Sequence, residues 1–422
     1  MARPNVTVII NDESFVISGA EEGGTHRSGF ITPSDNDLIS YLGSTAERDN
    51  GIMIIENMDD WLGRLKSTAP IGSVGDSPET MPEDASALPF FNPLGVNAAE
   101  GSNTVTVGND FAGATLSRWP DGPTGSWKAQ WWAVHNYLTY GGVCVVARDG
   151  SGLTASSVEL DSMFAKDESQ NAAVIINAGI RGDCIAVLGI SSEKSMTEAS
   201  AAVVADQNHI YVYGEKVHRD WRRLNASVDP TSSETVTTSL AADVAGCLAR
   251  TDRLTSPWFS PAGIRRGQIL DVIKLARELG PIEQDLLYDA KINPVASFPG
   301  EGTILFGDKT SAASTSTLSR INVARLFIYL QKVLGTAARN ILFEQNDSTT
   351  RQQFVNSVVP FLDSIVGQRG ITEYRVICDE TNNTSDIVDS NQFVADVFVK
   401  PTKSVNFIRL RFTNVSEGSP LS

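Results

Sequence analysis

The chain has 422 residues, of which 41% are hydrophobic and 20% charged, so it can bury a real core and is not a disordered protein. A formal net charge of −16 argues against a nucleic-acid partner, because that affinity comes mostly from Lys and Arg neutralising phosphates. No run approaches the roughly twenty apolar residues that span a bilayer, and the opening MARPNVTVIINDESF lacks the apolar core of a signal peptide, so synthesis in a cytoplasm without membrane insertion is expected.

In chain order, Val6 to Ile10 is β-branched and strand-like, and loop composition follows it. Gly51 to Leu65 reads as a short strand running into a helix that Asn57 or Asp59 would cap. From Pro70 to Trp127 the chain is rich in Gly, Pro, Ser and Asp, an irregular insertion with one strand expected at Thr104 to Val107. KAQWWAVHNYLTYGG then predicts a helix that ends at Gly141-Gly142 and leads into the strand VCVVAR.

Two short apolar runs, AAVIINAG and DCIAVLGI, suit buried strands. A helix through MTEASAAVVADQ precedes the strand HIYVYG, and VTTSLAADVAGCLART predicts another helix. Strand and helix alternating at this spacing indicate an α/β layer with a partly parallel sheet, within a mixed α/β chain.

The last third carries the strongest helical periodicity. Ile269, Val272, Ile273, Ala276 and Leu279 predict a helix from Gly267 to Leu279, stopped by Gly280-Pro281. Ile321, Leu326, Tyr329, Leu330, Val333 and Leu334 give one apolar face between Leu318 and Phe343. Phe354, Val358, Phe361, Leu362 and Ile365 do the same in the next helix, with Asp347 or Ser348 as its cap and a kink at Pro360. Arg320, Arg325 and Arg351 fall on these helices, where solvated surface charge is the default. EYRVIC, QFVADVFV and VNFIRLRF predict three closing strands. The last follows a break at Pro401 and places Ile408, Leu410 and Phe412 on one face, so it suits pairing outside its own domain.

Motifs for catalysis fail one by one. GEGTILFGDKT has the glycine spacing of a phosphate-binding loop but puts Asp308 where the phosphate-binding lysine must stand, with Lys309 one place late. A plain strand and turn is the expectation there. SSEK at Ser191 to Lys194 matches S-x-x-K, but no SDN or KTG partner accompanies it. His26, His135, His209 and His218 make no metal-ligand spacing, and His135 is expected to face the core beside Trp131 and Trp132. CDETNN at Cys378 to Asn383 reads as a loop after a strand. Cys144, Cys184, Cys247 and Cys378 form no CxxC pair, so neither a disulfide framework nor a zinc site is expected. Neither an enzyme nor a cofactor site is indicated.

Several ordered stretches carry a resemblance: ARTDRLTSPWFSPAG (Ala249 to Gly263), INPVASFPGEGTILFGDKT (Ile292 to Thr310), RINVARL (Arg320 to Leu326), ILFEQNDSTTRQQF (Ile341 to Phe354), YRVICDETNNT (Tyr374 to Thr384) and FVADVFVKPTKSVNFIRLRF (Phe393 to Phe412). Together they resemble the core of phage contractile tail sheath proteins, a family shared with R-type bacteriocins and other contractile injection systems. WAVHNYLTYGGVCVVAR is similar to the family's helix, Gly-Gly turn and strand, and RPNVTVIINDESF matches its N-terminal element more loosely, with Asn5 in place of a glycine.

The resemblance implies a structural subunit of the virion tail that polymerises with itself as stacked six-fold rings around a tail tube protein. It further implies baseplate and tail terminator partners, and contraction that drives the tube through a host envelope. A non-contractile tail tube or baseplate assembly protein is the alternative. The implied organisation is an N-terminal arm (1–20), a first part of the core (21–69), a loop-rich outer insertion (70–127), the sheath core (128–400) and a C-terminal arm (401–422). The arms would add strands to a sheet shared with neighbouring subunits through Val6, Val8, Ile9, Val405, Phe407, Ile408, Leu410 and Phe412.

Overall fold

The structure, a computed structural model, describes residues 26–32, 38–61, 96–98, 105–107, 127–148, 159–219, 235–313 and 316–404. Strand β1 (Arg27–Thr32) is followed by the short helices α1 (Leu38–Leu42) and α2 (Thr45–Asn50), then β2 (Ile52–Ile55), β3 (Val96–Ala98) and β4 (Val105–Val107). Helix α3 (Trp127–Leu138) leads into β5 (Val143–Arg148) and β6 (Ser162–Phe164); α4 (Asn171–Arg181), β7 (Ile185–Ile190), α5 (Met196–Ala201) and β8 (His209–Tyr213) come next. Strands β9 (Glu215–Arg219) and β10 (Thr235–Ser239), helix α6 (Ala241–Leu254), β11 (Lys274–Leu275) and α7 (Pro281–Asp289) continue the chain. Strands β12 (Ile292–Asn293), β13 (Val295–Phe298) and β14 (Gly302–Leu305) precede the two long helices α8 (Ile321–Arg339) and α9 (Ser348–Gly367). Strand β15 (Ile371–Ile377), helix α10 (Ser385–Asp389) and β16 (Asp396–Pro401) close it.

Seven strands form the main sheet in the order β12-β8-β7-β6-β1-β5-β2. Every neighbouring pair is parallel except β2 with β5. A parallel sheet is buried on both faces, and its strands alternate between two cores accordingly. Cys144, Val146, Val187, Ile210 and Val212 face one core with Trp131, Trp132 and Tyr137 of α3 and Val244 and Leu248 of α6. Val145, Ala147, Leu188 and Tyr211 face the other, with Val174 and Ala178 of α4. A third core joins Trp258 to α8, α9, β15 and β16. Helix α8 belongs to two of them: Ile321, Ala324 and Ile328 enter the first, while Val323, Leu326, Phe327 and Leu330 enter the third.

Local signals set several of these elements. Asn57 Oδ1 accepts the Asp60 N–H at 2.9 Å, which fixes the helical turn starting at Met58. Asp347 caps α9 through the Thr350 N–H, and that helix runs through Pro360 without ending. Tight packing shows at Gly246 of α6, where a Cβ would lie 2.2 Å from the Tyr140 ring.

Three expectations are corrected. AAVIINAG forms helix α4, not a strand: Val174 and Ala178, one turn apart, are its buried pair, and Gly182 ends it in the left-handed conformation at φ 70°. An apolar run of that length has no periodicity that separates strand from helix. The residues from Gly267 to Leu279 form no helix, because their backbone hydrogen bonds go to neighbouring strands. Ile269 N–H donates to the Thr303 carbonyl, Ile273 to Val217 and Ala276 to Glu215, leaving only the two-residue strand β11. In VTTSLAADVAGCLART, the first residues belong to β10, and α6 starts at Ala241.

Candidate assembly seam and buried polar networks

Val6, Val8, Ile9, Val405, Phe407, Ile408, Leu410 and Phe412 all lie outside the described residues, as does most of the 70–127 stretch; within it β3 pairs with β4 antiparallel. The described chain ends at Ser404.

Its last described sheet has two strands. Strand β15 pairs antiparallel with β16 from Ile377↔Asp396 to Ile371↔Pro401, with a register shift between Ile371 and Glu373. Two strands alone are marginal in water, and here α9 and the third core hold them. Past β16, Thr402 N–H donates to the Gly370 carbonyl, and the Ser404 hydroxyl donates to Asp308 Oδ2 at 2.8 Å. Asp308 is buried; its Oδ1 accepts from Arg320 Nη1 at 2.7 Å, and Arg320 also reaches the Tyr288 hydroxyl.

The same geometry settles the phosphate-loop reading. Gly302 sits at φ 87°, and Gly307 admits no Cβ because Asn293 Oδ1 would lie 2.7 Å away. Asn293 is engaged instead with the Tyr211 and Lys309 backbones, and Lys309 Nζ lies 3.7 Å from the centre of the Tyr288 ring. Both glycines serve chain packing, as the strand-and-turn expectation requires.

Two arginines depart from the surface-charge default. Arg325 and Arg351 are buried, and Arg325 Nη2 meets both oxygens of Asp252. Asp252 Oδ2 also lies 2.6 Å from His26 Nδ1. A carboxylate only accepts, so Nδ1 carries the hydrogen and Nε2 faces Ser162 Oγ at 2.9 Å. Ser162, His26 and Asp252 thus repeat the connectivity of a serine-hydrolase triad. Ser162 is 0% and His26 2% exposed, however, and Ser162 Oγ is shared with Ser28 Oγ at 2.8 Å. The enclosed network ties β1, β6, α6 and α8 together. Sequence separations of 136 and 226 residues hide it from motif reading.

Two further ion pairs bridge the parts. Lys216 Nζ meets Asp243 Oδ1 at 2.8 Å in the interior, where Tyr140 also donates to Asp243. Lys332 of α8 reaches Asp161 Oδ1 at 2.6 Å and the Leu160 carbonyl at 2.7 Å. Burial is the largest single influence and works to raise the Asp161 pKa, but the Lys332 ammonium, His26 and the Arg27 N–H together outweigh it and hold the group at about 2, below its ordinary 3.8. A depressed carboxylate stabilises the fold fully above its unfolded pKa and loses that contribution as pH falls through the folded one. Thermal midpoints of wild type and Asp161→Asn, measured from pH 5 to pH 2, should therefore converge between about 3.8 and about 2. Parallel curves would show that the pair contributes nothing.

His135 is placed as expected, its ring stacked on Trp131 at 5.1 Å and edge-on to Trp132. All four cysteines are free and buried. Cys378 to Asn383 is a loop after β15, with Asp379 accepting from Thr381. Among the described residues no cluster suited to a metal ion occurs, and no helix is long and apolar enough to cross a membrane.

Residues 152–311 match the phage tail sheath protein central domain, and 313–413 the phage tail sheath C-terminal domain. The chain is 48% identical over 177 residues to the tail sheath protein of Vibrio phage KVP40, covering 42% of this chain and 26% of that one. It is 39% identical over 231 residues to the tail sheath protein of Enterobacteria phage T4, covering 55% and 33%. The matched region thus spans a third or less of these relatives' own length. The fold is also similar to the sheath of PVC, an extracellular contractile injection system, solved in the contracted state. That likeness has a TM-score of 0.67 at 17% identity over 98% of each chain.

Proposed function

The chain belongs to the phage tail sheath family, and from that premise we propose that it is the subunit of a contractile tail sheath which polymerises around a tail tube. The observation that carries this reading is the pair of sheath domains, matched in order from 152 to 413. It is supported by a third core packed among the described residues and by a last sheet with two described strands. An open strand edge is a template for another chain's strand. In this reading residues 1–20 and 401–422 are arms that join neighbours, 70–127 is an outer insertion, and 21–69 with 128–400 form the body. Val6, Val8, Ile9, Val405, Phe407, Ile408, Leu410 and Phe412 supply the shared strands.

Stacked six-fold rings, a tube protein within them, and baseplate and terminator proteins at the ends complete the assembly in the virion. The subunit acts by repacking between two lattice states, without catalysis or a cofactor; the triad-like network is buried. Negative-stain electron microscopy of the purified protein, alone and with its tube protein, tests this. Hollow striated tubes with six-fold end views are the expected result. A monomer that stays monomeric on preformed tubes at every salt concentration would overturn it.

A further inference from the structure

We propose that Asp308 is the positioning residue that fixes where the C-terminal arm leaves the body, through a clasp with Ser404 and Arg320. This rests on the reading that Val405 onward is an intersubunit arm.

Asp308 occupies the position that disqualified the glycine-rich loop as a phosphate site, and it is 4% exposed. A buried carboxylate requires partners for both oxygens. Arg320 holds Oδ1 and Ser404 holds Oδ2, across 96 residues of sequence in the second case. The carboxylate and its two partners come from different matched domains. Asp308 lies near the end of the region matched to the central domain, which runs to 311, while Arg320 and Ser404 lie in the region matched to the C-terminal domain. The Asp308 carbonyl also accepts the N–H of Ile321, the first residue of α8. One carboxylate therefore sits at the seam between both domains, the helix shared by two cores, and the departing chain.

The path to it is bent on purpose by the register shift in β15. There Thr372 Oγ1 donates to the Lys400 carbonyl at 2.9 Å, and Ile371 resumes pairing at Pro401. Such a bulge re-aims a strand end. Here it carries Thr402 past Gly370 and delivers Ser404 to Asp308. Pro401, the break visible in the sequence, remains within β16, so the described chain continues past it as far as Ser404. In a lattice whose bodies turn while arms stay joined, a fixed departure point converts body rotation into a defined arm direction.

The test uses the full chain with Ser404→Ala, which removes only the hydroxyl, and Ser404→Thr, which keeps one. Amide hydrogen exchange of the peptide spanning 398–404 is read in the monomer, and tube formation by electron microscopy. Loss of a hydrogen bond to a charged acceptor predicts roughly tenfold faster exchange at Thr402 to Ser404 in Ser404→Ala. Its tubes should also need a roughly tenfold higher protein concentration. Ser404→Thr should restore both. A chain lacking Val405–Ser422 is the control. If that deletion forms tubes, the arm reading falls and the proposal with it. If the deletion blocks tubes while Ser404→Ala leaves either readout at the wild-type value, the arm reading stands and the clasp alone falls.

Discussion

A variant that ends at Ser404 is expected to fold as a monomer and to form no tubes, at any concentration where the full chain assembles. Folding should survive because the described residues hold three packed cores of their own. None of the described residues lies beyond Ser404, Thr402 bonds to Gly370, and Ser404 reaches Asp308. Assembly should fail because, in the proposed lattice, a strand shared between neighbours supplies the joining energy. Each ladder bond contributes about 0.5–1.5 kcal/mol net, and a strand of this length makes several at once. Burial of Phe407, Ile408, Leu410 and Phe412 side chains would add to that, at ~25 cal/mol per Å² of apolar surface. Circular dichroism with size-exclusion chromatography reads the fold, and electron microscopy reads the tubes. Normal tubes would remove the C-terminal arm from the mechanism.

Asp252→Ala is expected to destabilise the body by about 3–5 kcal/mol, the cost of stranding a buried charge. Arg325 is 5% exposed, and both oxygens of Asp252 face its guanidinium. Removing the carboxylate leaves that cation in the interior and takes away the acceptor that holds His26 Nδ1. The effect should be conditional on the partner. Arg325→Met in the same chain removes the stranded charge, and apolar replacement of a buried pair is often close to neutral, so the double variant should regain most of the loss. Urea denaturation of the single and double variants forms the test. A loss below about 1 kcal/mol in Asp252→Ala would mean that the network is solvated, as for an exposed pair. Because α6, α8, β1 and β6 meet at this network, its loss should also lower cooperativity between the sheet and the C-terminal helices.

The assembly role and the buried networks differ in how far they could be read from residues alone. Family membership was legible because it lies in ordered local strings, such as SPWFSPAG and ILFEQNDSTT, and local strings survive without coordinates. The strands VCVVAR, DCIAVLGI and HIYVYG and the two long helices were legible for a related reason. The long helices write their period directly into which residues are apolar, and the strands are short β-branched apolar runs of the kind a sheet buries on both faces. Asn57 and Asp347 as caps belong with them, since a cap reaches only three residues ahead.

Tertiary structure alone decided the rest. Gly267 to Leu279 has helical spacing, yet its amides are claimed by β9 and β14, and no periodicity reports which strand lies alongside. AAVIINAG offered apolar residues in nearly every place, so only packing could choose which pair, Val174 and Ala178, would turn inward. The charged groups show the same limit most sharply. Arg325 on a helix reads as surface charge, because sequence prices a guanidinium by its type. In the fold it is buried, because Asp252, 73 residues earlier, repays its desolvation. Asp308 was legible as the residue that spoils a phosphate loop. Its role as the acceptor for Arg320 and Ser404 was set only when the chain brought both partners to it, since ion pairs act over ångströms of space and carry no signature along the chain.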